Sequence, residues 1–170
     1  MREGLPELRL RIGLATGDAL VGSIGSENAR NFTVMGDTVN LASRLEALNK
    51  AYGTAILMCG QTRAGAGDAV VARELDLITV AGQSRPLAIY ELRGRAGQVD
   101  AQLTKIDELY AVGLAAYRAR DWDGAAAAFG SVLDIDSEDG PARLFADRVE
   151  ELRAAPPAAD WDGVWHFTKK

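Results

Sequence analysis

Asn40 and Arg44 stand four residues apart in NFTVMGDTVNLASRLEALNK, residues 31–50. On a helix this spacing puts both on one face, one turn apart. An amide can hold a ribose or other substrate hydroxyl. A guanidinium makes a forked contact with phosphoryl oxygens and keeps its charge at any physiological pH. Together they suit the stabilisation of charge developing on a reacting phosphate. The same pair also fits a plain solvated face, with Arg44 bound to Glu46 or another neighbour, and spacing alone leaves both readings open.

The elements that must position the pair can be read on either side of it. Residues 8–17, LRLRIGLATG, alternate Leu8, Leu10, Ile12 and Leu14 with Arg9, Arg11 and Gly13, which predicts a strand with one buried face. Gly17-Asp18 reads as a turn and residues 19–25 as the return strand of a hairpin. The frequent glycines, Gly13, Gly17, Gly22 and Gly25, point to bulges or to close approach of another backbone or a ligand. Residues 26–30 read as a turn and NFTVM as a third strand. A helix is expected over 38–51, with Val39, Ala42, Leu45 and Leu48 as its apolar stripe and Leu41 flanking it. Asp37 is the expected N-cap, and Gly53 the stop. AILMC reads as a short buried strand, residues 61–67 as a brief helix or loop, and residues 70–80 and 87–92 as two strands. This order predicts an α+β domain with a mostly antiparallel sheet and one main helix.

A small, polar, Gly-containing run then changes the pattern. The expected division is 1–94 for the first domain, 95–104 for a linker, 105–155 for helices and 156–170 for an extended tail. The helix pair from about Lys105 to Asp136 resembles one tetratricopeptide repeat, with Gly113 and Tyr117 in the first helix, Trp122 in the turn, and Ala125 and Ala128-Phe129 in the second. One repeat cannot bury its own faces, so docking on the first domain or another chain is expected. The trio WDG at Trp122 and Trp161 reads as a coincidence. Trp161, Trp165 and Phe167 are expected to pin the tail onto the domain.

Composition narrows the function classes. The chain has 170 residues and a formal net charge of −5, all of it in residues 101–170. No basic block exists, which argues against nucleic-acid binding. The single Cys59 excludes a disulfide framework within one chain and reads as a small buried hydrophobe in a reducing compartment. His166 is the only histidine, which disfavours a histidine relay or metal cluster. GSIGS carries no Walker lysine. No run of about 18 apolar residues occurs, so a cytoplasmic location is expected, as the cytosolic part of a membrane-anchored parent if there is one.

RIGLATGDALVGSIGS, FTVMGDTVNLASRLE, RELDLITVAG and IYEL together resemble the C-terminal half of a class III nucleotide cyclase catalytic domain, over roughly residues 8–93. The resemblance implies a partial ferredoxin-like cyclase fold and the conversion of ATP to cyclic AMP and pyrophosphate. It implies that Asn40 orients the ribose and reacting phosphate, and that Arg44 stabilises the pentavalent phosphorus. Thr33 falls where the family reads the purine, and its hydroxyl favours ATP over GTP; by itself it is an ordinary β-branched strand residue. The loop after Val80 carries Gln83 where a basic residue is common, and Arg85 is the candidate for a looser phosphate contact. The family uses two Mg²⁺ or Mn²⁺ ions, and its catalytic domains pair head to tail with the site between them.

The family's two metal-binding aspartates and its purine-reading lysine would lie upstream of the first hairpin. Asp18 and Asp37 match neither metal position and read as a turn residue and a cap. The metal ligands are therefore expected from another segment or chain. The competing reading is a non-catalytic cyclase-like module that dimerises and offers its acidic helices to a protein partner. The expected outcome for the chain alone, assayed with ATP and Mg²⁺ or Mn²⁺, is no cyclic AMP at enzyme-like rates; turnover would refute it. Sedimentation is expected to show a concentration-dependent dimer.

Overall fold

The structure, a computed structural model, describes residues 9–26, 29–79 and 85–167. Along the chain come β1 (Ile12–Leu14), β2 (Leu20–Ser26), β3 (Ala29–Met35), α1 (Asp37–Tyr52), β4 (Ile56–Cys59), α2 (Gly60–Ala66), a 3₁₀ turn, β5 (Val70–Thr79) and β6 (Leu87–Arg95). Then follow α3 (Ala101–Arg118), α4 (Trp122–Ile135), α5 (Gly140–Ala154) and β7 (Trp165–His166). The main sheet has the order β1-β4-β6-β5-β7, and β2 and β3 form a separate two-stranded ribbon. The central pairings, β4 with β6 and β6 with β5, are antiparallel; the outer ones, β1 with β4 and β5 with β7, are parallel. This is the α+β class expected from the sequence.

The hairpin expected between β1 and β2 is not formed. A Cβ on Gly17 would lie 2.5 Å from Thr38 Oγ1, so the segment after β1 wraps the start of α1 instead of turning back. β2 pairs with β3, and β1 pairs with β4 after the chain returns through α1. Gly13 makes that return possible. A Cβ there would stand 2.0 Å from the Ala42 carbonyl oxygen and 2.4 Å from the Glu46 nitrogen, so α1 lies with its backbone on β1. The buried stripe of α1 is Leu41, Leu45, Leu48, Asn49 and Tyr52, with Val39 and Ala42 only half-buried. Leu41 is thus core, not flank, because Ala42 occupies the close contact. The N-cap is Gly36, not Asp37, and no side chain caps the helix there. Gly36 has φ 139°, a backbone state that side chains rarely adopt. Asp37 enters the first turn, where its charge complements the helix dipole. Gly53, at φ 70°, ends the helix as expected.

Of the three C-terminal helices, α3 packs on β5 and α5 on α1, with α4 against α3 and α5, and one hydrophobic cluster runs from Leu41 on α1 to Val149 on α5. A bulge in β5 organises the junction. Arg73 lies opposite Glu91 and Asp76 opposite Ile89, so Leu75 is an extra residue and positions 73 and 76 share one face of a strand that would otherwise separate them. The Leu75 carbonyl accepts a hydrogen bond from the Tyr110 hydroxyl of α3 at 3.1 Å. Arg73 donates to Glu91 and, at 2.7 Å, to Asp139, the N-cap of α5. Arg148 of α5 donates to Asp76 at 2.6 Å. Both arginines are buried. α5 reaches α1 as well: a Cβ on Gly140 would meet the Tyr52 carbonyl oxygen at 2.4 Å.

Within the helices, Gly113 makes room for the Phe129 ring, which would stand 2.8 Å from a Cβ there. α3 starts at Ala101, capped by Asp100, inside the stretch expected as linker, and Trp122 is the first residue of α4 instead of a turn residue. The tail crosses back to the sheet. Trp161 packs edge-on to Tyr117 at 5.3 Å and against Trp122 at 5.6 Å, so the two WDG trios do meet through their rings. Arg120, at φ 61°, donates to the carbonyls of Ala158, Ala159 and Trp161. Phe167 packs on Tyr52. The tail is therefore pinned by its aromatic residues, and two of its residues extend the sheet. Cys59 is buried in the core.

Two substitutions test these contacts by urea unfolding. Gly13→Ala forces the α1 backbone off β1 and is expected to cost about 3 kcal/mol. Arg73→Met leaves Asp139 without its ion-pair partner in the junction, and Glu91 with Arg93 alone, and is expected to cost about 3–5 kcal/mol.

Candidate functional site at the open end of the first helix

The strand directions bring several segments to one end of the sheet. Leu14 ends β1 beside Met58 of the parallel β4, and Cys59 ends β4 beside Ile89 near the start of the antiparallel β6. Thr16 and Thr62 meet at 3.0 Å just beyond. Gly17 touches Thr38 at the same end, which fixes the N-terminus of α1 there. Arg85, just before β6, and Thr79, at the end of β5, belong to this end too. Arg85 is exposed. Two strand spacings, roughly 10 Å, separate β6 from β1. Gln83 lies outside the described residues.

Asn40 and Arg44 lie in the N-terminal half of α1, on an arc with Asp37, Ala47 and Ala51 that flanks the buried leucine stripe, about a quarter turn from it. Asn40 is exposed and Arg44 half-buried. Neither side chain has a hydrogen bond or ion pair with another described residue, so the Arg44–Glu46 pairing of the solvated-face reading is not formed. The contrast with Asn49 on the same helix is instructive. Asn49 is fully buried, donates to the carbonyls of Ile12 and Leu45 at 3.0 Å, and accepts from Thr54 at 2.8 Å. One asparagine holds the helix to β1; the other is left available.

Thr33 sits on β3 opposite Gly22 of β2 and is half-buried. Nothing lies within 4 Å of where a Gly22 Cβ would stand, so the ribbon leaves space beside the Thr33 hydroxyl. The ribbon is apolar on both sides. Leu20 and Met35 pair on one face, and Val21 and Val34 on the other, with Phe32 beside them. All five are exposed, Phe32 at 75% and Leu20 at 74%. Exposed apolar surface of this kind, on a ribbon outside the main sheet, marks a contact surface.

A divalent ion does not fit the residues described. No group of three or more His, Cys, Asp or Glu side chains able to hold one gathers among them. Asp18 lies in the segment whose backbone passes beside Gly36, and Asp37 in the first turn of α1. The charged groups that do gather, Arg73, Glu91, Asp107, Arg93 and Asp139, are ion-paired between sheet and helices. Sequence reading missed this cluster and the Tyr52–Asp76–Arg148 contact. The signal was the run RELDLI, whose charges at 73, 74 and 76 break a period of two.

The family model described as the adenylate and guanylate cyclase catalytic domain matches residues 2–92. Adenylate cyclase 1 of Rhizobium meliloti (strain 1021) is 50% identical over 91 residues, which are 54% of this chain and 14% of that protein. A terminal-differentiation-specific adenylate cyclase of Dictyostelium discoideum is 33% identical over 141 residues, 81% of this chain and 7% of that protein. The latter similarity therefore continues past the matched domain into the helices. The chain spans less than a fifth of the length of these relatives. Among solved structures, the adenylyl cyclase CyaB from P. aeruginosa is 31% identical with a TM-score of 0.48, covering 58% of this chain and 50% of that one. With more than half its length matched by the family model, this chain belongs to the adenylate and guanylate cyclase catalytic domain family.

Proposed function

We propose that this chain is the C-terminal part of an adenylate cyclase catalytic domain and supplies the ribose, phosphate and purine contacts of a shared site. The carrying observation is that Asn40, exposed, and Arg44, half-buried, share one face of α1 without a hydrogen-bond or ion-pair partner among the described residues. In this reading ATP lies along the N-terminal half of α1. The Asn40 amide holds the ribose so that its 3′-oxygen faces the α-phosphorus. The 3′-O–H bond gives up its proton to water, a bond forms between that oxygen and the α-phosphorus, the bond to the bridging oxygen breaks, and pyrophosphate leaves. The Arg44 guanidinium donates to the oxygens on which charge accumulates. Thr33 offers one hydroxyl to the adenine edge, and Arg85 lies on the side where the triphosphate would extend.

The Mg²⁺ or Mn²⁺ ions that cyclases use would be held by carboxylates outside the described residues. A second cyclase chain, arranged head to tail, would cover the apolar ribbon and bring them. No helix of the described residues is long and apolar enough to cross a membrane, which accords with a cytoplasmic catalytic region. The helices α3–α5 serve in this reading as a tetratricopeptide-like extension of the domain. The competing reading, a cyclase-like interaction module, draws on the same exposed ribbon.

Mixing the chain with a cyclase chain that carries the metal-binding half separates the two. Cyclic AMP formation from ATP is expected, and Arg44→Ala is expected to lower kcat at least about 100-fold. Asn40→Ala is expected to act in the same direction. Both variants should unfold within about 0.5 kcal/mol of the wild type, since neither side chain makes an internal hydrogen bond or ion pair with a described residue. No activity in the mixture would favour the interaction module.

A further inference from the structure

The C-terminal end of α1 is held by the helices and tail that follow the cyclase segment. Tyr52 is fully buried, and its hydroxyl donates to Asp76 Oδ2 at 2.6 Å. Arg148 donates to the same oxygen, and the Leu77 amide donates to Asp76 Oδ1 at 2.8 Å. The Arg148 guanidinium lies 3.8 Å from the centre of the Trp165 ring in the tail strand and 4.9 Å from that of Phe145. Burial, reinforced by the Asp76 charge, pushes the Tyr52 phenol well above its ordinary pKa, so it remains a donor. A phenylalanine at position 52 would fill the same space without bringing a hydroxyl into the core; the hydroxyl ties α1 to the carboxylate that Arg148 holds.

We propose that Arg148, through Asp76 and Tyr52, positions the nucleotide-contacting face of α1, so that the helical unit and tail set the placement of Asn40 and Arg44. The inference rests on the role assigned to those two residues above. The geometry is a lever. Gly13 lets α1 bear on β1 at Ala42 and Glu46, which makes a fulcrum. Tyr52 lies on one side of it, about 12 Å of helix rise from Arg44, and Asn40 on the other, about 6 Å from Arg44. A tilt of about 10° displaces Asn40 by roughly 1 Å, and a misplacement of that size is enough to lower a rate about 100-fold. The state of the tail reaches the lever through Trp165, which stacks on Arg148.

Two measurements on the full chain test this. The first is amide hydrogen exchange, which needs no activity. Tyr52→Phe and Arg148→Met are expected to speed exchange at residues 40–46 at least about fivefold, with residues 56–59 of β4 within about twofold of wild type. Asp76→Asn combined with Arg148→Met removes the unpaired charge but not the loss of the link to α5, and is expected to leave exchange at residues 40–46 fast; slow exchange in this double variant would overturn the proposal. The second is turnover in the mixture with a metal-bearing cyclase chain. There Tyr52→Phe is expected to lower kcat at least about tenfold with KM for ATP within about threefold. Unchanged exchange in α1, an equal increase along the whole chain, or an unchanged kcat would each overturn the proposal. If Arg148→Met does not fold, Tyr52→Phe decides alone. If the wild-type mixture makes no cyclic AMP, the cyclase reading fails, and the exchange pattern decides the lever by itself.

Discussion

Two buried ion pairs of opposite polarity join β5 to α5. Arg73 on the strand meets Asp139 on the helix, and Asp76 on the strand meets Arg148. Both pairs exist on one face only because Leu75 is bulged, and that bulge keeps its backbone satisfied through Tyr110. Removing four charges from water is costly, and well-packed apolar groups would stabilise as much. What the pairs add is direction. Turning α5 end for end would set Arg148 against Arg73 and Asp139 against Asp76. One orientation of the helix is thereby selected, and with it the place where Gly140 touches α1.

Helix α1 is consequently held at both ends and in the middle. Gly17 and Gly36 fit around its start, Gly13 lies under the turn that carries Arg44, and Tyr52 and Gly53 are fixed by α5 and β5. A site that must place two side chains within a fraction of an ångström gains from such support. The β2–β3 ribbon has the opposite character. It joins neither edge of the main sheet and exposes apolar side chains on both faces. In the proposed reading, the braced helix and the uncovered ribbon form one wall of a site that another surface completes.

The charge of the helical unit is less outward than its composition suggests. Asp107 and Asp139 face the sheet, where they pair with Arg93 and Arg73. Burial raises the Asp107 carboxyl pKa, against the pull of Arg93 and then Arg73. Part of the acidity that marks residues 101–170 as a separate region is thus the complement of arginines in the cyclase segment. The apparent boundary in charge is one side of an internal interface.

Sequence alone determined the local facts. Periodicity located most strands and helices, Gly53 ended α1, Gly13 announced a close backbone approach, and the order of residues around Gly36 pointed to the family. These were legible because each depends on a few consecutive residues and on the sterics of a missing Cβ. Asn40 and Arg44 were legible as a pair for the same reason. Tertiary structure alone decided which strands pair, so that β1 joins β4 across some forty residues and the expected first hairpin does not form. It also decided that Arg73 and Asp76 share a face, that the two WDG tryptophans meet, and that Tyr52 is tied to a helix nearly a hundred residues on. Each of these depends on groups far apart in the chain, whose pairing is selected by the burial of charge and volume in one common core, and that selection leaves no periodic trace in the sequence.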